Sequence, residues 1–272
     1  MEKAKALGQF LRFSREKLSP LEAGVPGTTR RRTPGLRREE VAEQSGISTA
    51  WYTYLEQGRE VRASLEVLDR IADTLGMTEV ERQYLHALAR PDVAQKTDEV
   101  PELINGQKIL DNFGIYPALY IAHQWDIVGW NRPAANLFTD FGKMDRTRRN
   151  LVLYVFTDAS LKEMYEDWQG NAKLLLAQFR MGFGLYPNET RYAEVIGELL
   201  EKSPEFAEWW NVYDVQPKMA GEKNIYHRRV GKLKLAYTTF QSVENPRLTL
   251  MVYNTCDPGS EAKLAELDSE PG

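Results

Sequence analysis

The stretch LRREEVAEQSGISTAWYTYLEQGR, Leu36 to Arg59, decides the fold of the first part of this chain. Residues 36–45 read as one helix, Gly46 breaks it, and residues 48–57 read as a second, capped by Ser48 and ended by Gly58. Val41, Ala42, Ile47, Tyr52 and Leu55 are the apolar positions and are expected in a core. Ala42 is small where the second helix must approach, and Gly46 supplies the left-handed turn. Ser48, Thr49, Ala50, Thr53 and Tyr54 remain on the second helix, small or hydrogen-bonding side chains suited to base edges in a major groove. Arg37 and Arg38 ahead of the pair and Arg59 and Arg62 behind it are placed to meet phosphates. A helical hairpin that binds nothing shares the pattern of two helices and a glycine. The flanking arginines and two further amphipathic helices favour double-stranded DNA as the partner.

Upstream, residues 4–18 set Leu7, Phe10, Leu11 and Leu18 on one helical stripe. Residues 19–35 carry three prolines and three glycines around Arg30, Arg31 and Arg32, a basic loop whose arginines join the phosphate candidates. Downstream, Ser64 caps a helix with Leu65, Leu68, Ile71 and Leu75 inward, and a capping box from Thr78 to Glu81 opens a fifth helix through Ala89. Residues 1–90 are therefore expected to be one five-helix domain. Ten basic residues face three acidic ones over residues 1–38, although the chain as a whole carries a net charge of -4. A basic arm ahead of an acidic body suits a molecule whose one end meets a polyanion; a solvated positive loop is the plainer alternative.

The length of 272 residues, 42% of them hydrophobic, allows two ordinary domains with cores of their own. A single cysteine, Cys256, and the absence of a glycine period exclude a disulfide scaffold and collagen. The charged N-terminal segment does not resemble a signal peptide, and the longest uncharged stretch, residues 112–125, is too short for a membrane span. A soluble, cytoplasmic protein is expected.

Residues 91–105 read as a polar linker, residues 106–258 as a second domain and residues 259–272 as a flexible tail. Residues 101–113 form an amphipathic segment, and residues 117–122 and 125–131 read as strands. Asn131, followed by Pro133, caps the next helix. Residues 161–181 are expected as one helix with Met164, Trp168, Leu175 and Phe179 on its apolar face, followed by helices over 189–202 and 203–210. Strands return over 226–230, 232–241 and 247–255, with turns at Gly231 and Asn245-Pro246, which together predict an α+β domain with one antiparallel sheet. Signals for chemistry are poor. His86, His123 and His227 lie far apart without zinc spacing, and Gly182-Phe183-Gly184 lacks the third glycine of a dinucleotide loop. No enzymatic activity, metal or cofactor is expected.

The segment from Leu36 to Ser48, followed by Trp51-Tyr52-Thr53 and Leu55-Glu56-Gln57-Gly58-Arg59, resembles the Xre-type helix-turn-helix of lambdoid repressors. The string from Arg30 to Ala42 is more closely similar to the MmyB-like regulators, and Trp130-Asn131-Arg132-Pro133-Ala134-Ala135 with Leu137-Phe138 agrees. The resemblance implies an all-α, five-helix, lambda-repressor-like DNA-binding domain followed by an α+β PAS-like ligand-binding domain. It also implies a transcription regulator answering to a hydrophobic small molecule, fatty-acid-like, held between sheet and helices. Five of the six tryptophans lie beyond residue 100, and with the resemblance in hand Tyr120, Trp130, Trp168, Phe179, Tyr237 and Met251 are candidate lining residues, with His227 or Arg180 as carboxylate partners. A homodimer is expected from the two-fold habit of such DNA readers. Tyr54 stands where the family often carries Arg, and a phenol cannot grip guanine bidentately. A DNA-tethered enzyme and a protein-interaction scaffold are the alternative functions.

Overall fold

The cap signals and the apolar stripes agree on five helices in the first part of the chain, and five form: α1 (Glu2–Lys17), α2 (Arg38–Gln44), α3 (Thr49–Glu56), α4 (Leu65–Thr74) and α5 (Glu79–Ala89). A computed structural model describes residues 2–25, 35–59, 61–89, 105–186, 189–210, 221–243, 245 and 247–269. Arg30, Arg31, Arg32 and most of the expected linker lie outside the described residues. Of the described residues, those within 2–89 and 180–186 belong to one compact unit, and those within 105–179, 189–210 and 221–269 to another.

In the first unit, the Ser48 hydroxyl accepts from the Trp51 amide at 3.2 Å and the Ser64 hydroxyl from the Val67 amide at 3.3 Å. The Thr78 and Glu81 side chains complete the expected capping box. The turn between α2 and α3 places Gly46 at φ +66°, which a side chain would oppose. One apolar core gathers Phe10 and Leu11 of α1, Val41 and Ala42 of α2, Tyr52 and Leu55 of α3, Leu68 and Ile71 of α4, and Leu85 of α5. Ile47 packs on it from the margin. Burying each large side chain contributes roughly 1.5–3 kcal/mol. Helices α1 and α3 also meet backbone to backbone: a Cβ on Gly8 would lie 2.4 Å from the Glu56 carbonyl oxygen, and one on Gly58 2.8 Å from Lys5 Cα.

The second unit is an α+β domain. After α6 (Gly106–Asp111) come β1 (Ala118–Ala122), β2 (Ile127–Trp130), α7 (Arg132–Leu137), α8 (Leu151–Thr157), α9 (Ala159–Met164), α10 (Trp168–Leu185, in this unit up to Phe179), α11 (Thr190–Lys202) and α12 (Pro204–Trp210). Then follow β3 (Gly221–His227), β4 (Gly231–Gln241), β5 (Leu248–Thr255) and α13 (Pro258–Ser269). The strands form one antiparallel sheet in the order β2-β1-β5-β4-β3, the arrangement of a PAS-like domain. Asn131 caps α7 through the Ala134 amide at 3.1 Å. Its amide nitrogen donates to the Leu110 and Tyr116 carbonyls, so the buried group is satisfied on every side.

Three expectations are corrected. The helix expected over 161–181 is two helices, because Tyr165 leaves helical geometry and bridges Ile225 of β3. Residues 259–269 of the expected tail are helical: Asp257 caps α13 through the Ser260 amide, and Leu264 and Leu267 are buried, while residues 270–272 lie outside the described residues. The turn expected at Gly231 occupies residues 228–230 instead, while β3 begins earlier, at Gly221. No described helix is long and apolar enough to cross a membrane.

Candidate functional site

Helix α3 turns Tyr52 and Leu55 into the core and leaves Thr49, Ala50 and Tyr54 exposed and Thr53 half-buried, with its N-cap Ser48 also exposed. Thr53 donates its hydroxyl proton to the Thr49 carbonyl at 2.7 Å, which leaves its oxygen to act as an acceptor. At the end of the helix the Arg59 guanidinium lies over the Tyr54 ring, 4.3 Å from its centroid.

The flanking arginines divide into two kinds. Arg37 is half-exposed with a carboxylate no nearer than 3.9 Å, at Glu39, and Arg62 is exposed without an ion pair among the described residues. Arg38 is committed to the fold: its Nε and Nη2 donate to Glu56 Oε1 at 2.9 and 2.8 Å. The same carboxylate takes Arg15 Nε at 2.7 Å and Arg15 Nη2 at 3.0 Å, while Arg15 Nη1 reaches the Leu36 carbonyl. Burial opposes the charge on Glu56, whose side chain is 1% exposed, and the hydrogen bonds from Arg15 and Arg38 outweigh it and hold the carboxyl below its ordinary range. Sequence reading did not single out Glu56.

The second unit encloses a small chamber between the sheet and helices α8 and α10. Tyr237 of β4 and Met251 and Tyr253 of β5 form its floor, and Leu174, Leu175 and Gln178 of α10 its roof. Leu151 and Val155 of α8, Tyr165 and Trp125 close the sides. Trp125 holds φ at +69°, a strained conformation for an aromatic residue, to place its ring there. The space measures about 30 Å³, enough for ordered water and too little for a long chain.

One wall carries charge. Lys223 of β3 is half-buried as a residue, and its ammonium nitrogen lies 4.7 Å from the Tyr237 ring centroid, 5.2 Å from that of Tyr165 and 6.0 Å from that of Tyr253. It makes no ion pair among the described residues. Burial lowers its pKa to about 8 and pushes the phenols of Tyr165, Tyr237 and Tyr253 above the usual tyrosine value.

Of the residues expected to line a cavity, Tyr237 and Met251 meet at this chamber. Tyr120 faces the other side of the sheet, in a cluster with Leu110, Leu248 and Val252. Trp130 packs on Phe141 and beneath Arg149, Trp168 on Phe156 and Trp209, and Phe179 on Tyr192 and Trp210. Arg180 is buried but falls in the first unit, and the His227 ring nitrogen Nδ1 accepts from the Arg229 amide at 3.3 Å. Lys223 was missed because GEKNI, residues 221–225, is too polar to announce a strand. Stepping back in twos from His227 and Ile225, both buried, would have put Lys223 on the inner face.

Other charges inside this unit are paired. Glu189 takes His123 Nε2 at 2.6 Å, Gln124 Nε2 at 2.9 Å and Arg247 Nη2 at 3.3 Å, while Asp126 is held by Arg191 and Asn150. Gly182-Phe183-Gly184 lies inside α10 and forms no loop.

A family model described as a helix-turn-helix domain matches residues 6–85, and one described as an MmyB-like transcription regulator ligand binding domain matches residues 105–269. No curated protein matches the chain.

Proposed function

The chain belongs to the MmyB-like transcription regulators, and from that premise we propose a one-component regulator that reads an operator with α3 and answers to a fatty-acid-like effector in its second unit. The observation that carries the reading is the exposure of Ser48, Thr49, Ala50 and Tyr54 on α3, in a unit that also exposes the guanidiniums of Arg37 and Arg62. The helix edge supplies base contacts and the arginines, Arg59 included, supply phosphate contacts. Thr53, acceptor only, favours the amino groups of adenine or cytosine.

The effector's seat is the chamber between the sheet, α8 and α10. Its volume of about 30 Å³ admits a head group but no acyl chain, so a long effector enters by parting these helices from the sheet. That parting gives the effector unequal affinity for two arrangements, which linkage requires of any regulator. Two protomers bound to a two-fold operator complete the proposal.

The test is binding of the full chain to a randomised duplex library, followed by titration of the selected sequence against salt. Three open arginines per protomer give a log–log slope of about −3 or steeper per protomer. A chain that ignores DNA at low salt overturns the reading. Mass spectrometry of lipids extracted from the purified protein tests the effector: a stoichiometric fatty acid supports it, and an empty protein with no thermal shift against a lipid panel counts against it.

A further inference from the structure

Among the described residues Lys223 is the one basic residue lining the chamber, and its surroundings there lack the counter-charge that Glu189 and Asp126 possess. The groups facing it are phenols and amides: Tyr165 beside α10, Tyr237 of β4, Tyr253 of β5, and Asn171 and Gln178 of α10. Burial keeps the phenols neutral, so among the described residues no anion approaches the ammonium. Three aromatic faces attract a cation and recover part of the cost of withdrawing it from water, but they leave its hydrogen-bonding protons unused. An interior ammonium with open donors beside apolar walls is the complement of one chemical class, an organic acid with an ionised head and an apolar body.

We infer that Lys223 receives the ionised head group of the effector, and that it makes the chamber select acids over neutral molecules of the same apolar shape. The inference rests on the effector reading above and sharpens it, because an apolar chamber alone would not distinguish an acid from its alcohol. The carboxylate sits against the ammonium at the β3 end of the chamber, within reach of the phenol and amide donors. The apolar body points toward Leu151, Val155, Leu174 and Leu175. Bringing the anion to Lys223 restores the charge that burial disfavours, so binding the acid takes up a proton once the free lysine has lost its own.

The experiment compares decanoic acid with decan-1-ol by calorimetry on the full chain, for the wild type, Lys223→Met and Lys223→Arg. The wild type should bind the acid at least tenfold more tightly than the alcohol at pH 7 and lose that preference as the pH climbs past about 8. Lys223→Met should bind both equally, with alcohol affinity unchanged, and Lys223→Arg should restore the preference. Equal binding of acid and alcohol by the wild type, or a preference that survives Lys223→Met, overturns the role of Lys223 and leaves an apolar effector standing. Failure of the wild type to bind either compound overturns both. Lys223→Met removes an ammonium that has no ion-pair partner among the described residues, so the variant is expected to fold; its circular dichroism checks that.

Discussion

Glu56 in the helical unit and Lys223 in the α+β unit are ionised groups drawn inside the protein, and their surroundings are opposite. Two guanidiniums close on Glu56, from Arg15 and Arg38, so its charge ties α1 and α2 to the end of α3. Lys223 meets aromatic faces and no carboxylate among the described residues. A satisfied interior charge fixes architecture, because nothing is left over to attract a ligand. An unpaired one costs stability that aromatic faces recover only in part.

The largest effect should come from breaking the satisfied pair. Arg15→Ala strands the Glu56 carboxylate with half its partners and should cost about 3–5 kcal/mol in urea unfolding; a loss under 1 kcal/mol would show that water already screens the pair. The two charges also predict pH dependences at opposite ends of the scale. The Glu56 carboxyl titrates lower in the folded protein than in the unfolded chain, so its contribution is present above the unfolded carboxylate range and disappears as the pH falls through its folded value. Lys223 titrates at about 8 when folded, below an unfolded lysine, so the unfolded chain binds its proton more tightly. Stability should therefore rise as the pH goes from about 8 towards the unfolded lysine value, and Lys223→Met should abolish that rise in denaturation followed across pH.

On the DNA face the effects are smaller and of two kinds. Thr49→Ala or Tyr54→Ala should cost about 1–3 kcal/mol on the preferred operator and little on others, read by competition between duplexes. Arg37→Ala should weaken every sequence alike and reduce the salt slope by about one unit. Identical effects of both changes on every probe would remove α3 from the role of reader. Arg38→Ala sharpens the comparison: its guanidinium is spent on Glu56, so it should lower thermal stability, whereas Arg37→Ala should lower affinity and leave thermal stability unchanged.

The helical unit was legible because each of its helices has one wet side. Ser48, Ser64 and Thr78 announce helix starts, and Leu68 and Ile71 announce the buried stripe. The second unit hid more. All of β1 is buried on both faces, so no alternation told Tyr120 from Leu119, and Tyr120 turned out to face away from the chamber. LVLYVFT, residues 151–157, reads as apolar and β-branched, yet it is helical because Asn150 caps the Val152 and Leu153 amides and the segment is buried nearly all round. The helix break at Tyr165 depends on a bridge to a strand sixty residues later, which no local pattern contains. Lys223 was hidden for a related reason: a lysine inside a sheet contradicts the ordinary meaning of its side chain.

Gly8 and Gly58 seat α1 against the end of α3 backbone to backbone, with no room for a side chain between them. A side chain at either position would drive into main chain, so Gly8→Ala or Gly58→Ala should separate the two segments and lower the thermal stability of the helical unit. Under the proposed reading, a change of operator preference is then expected from exchanging Thr49, Ala50, Thr53 or Tyr54 on this mount.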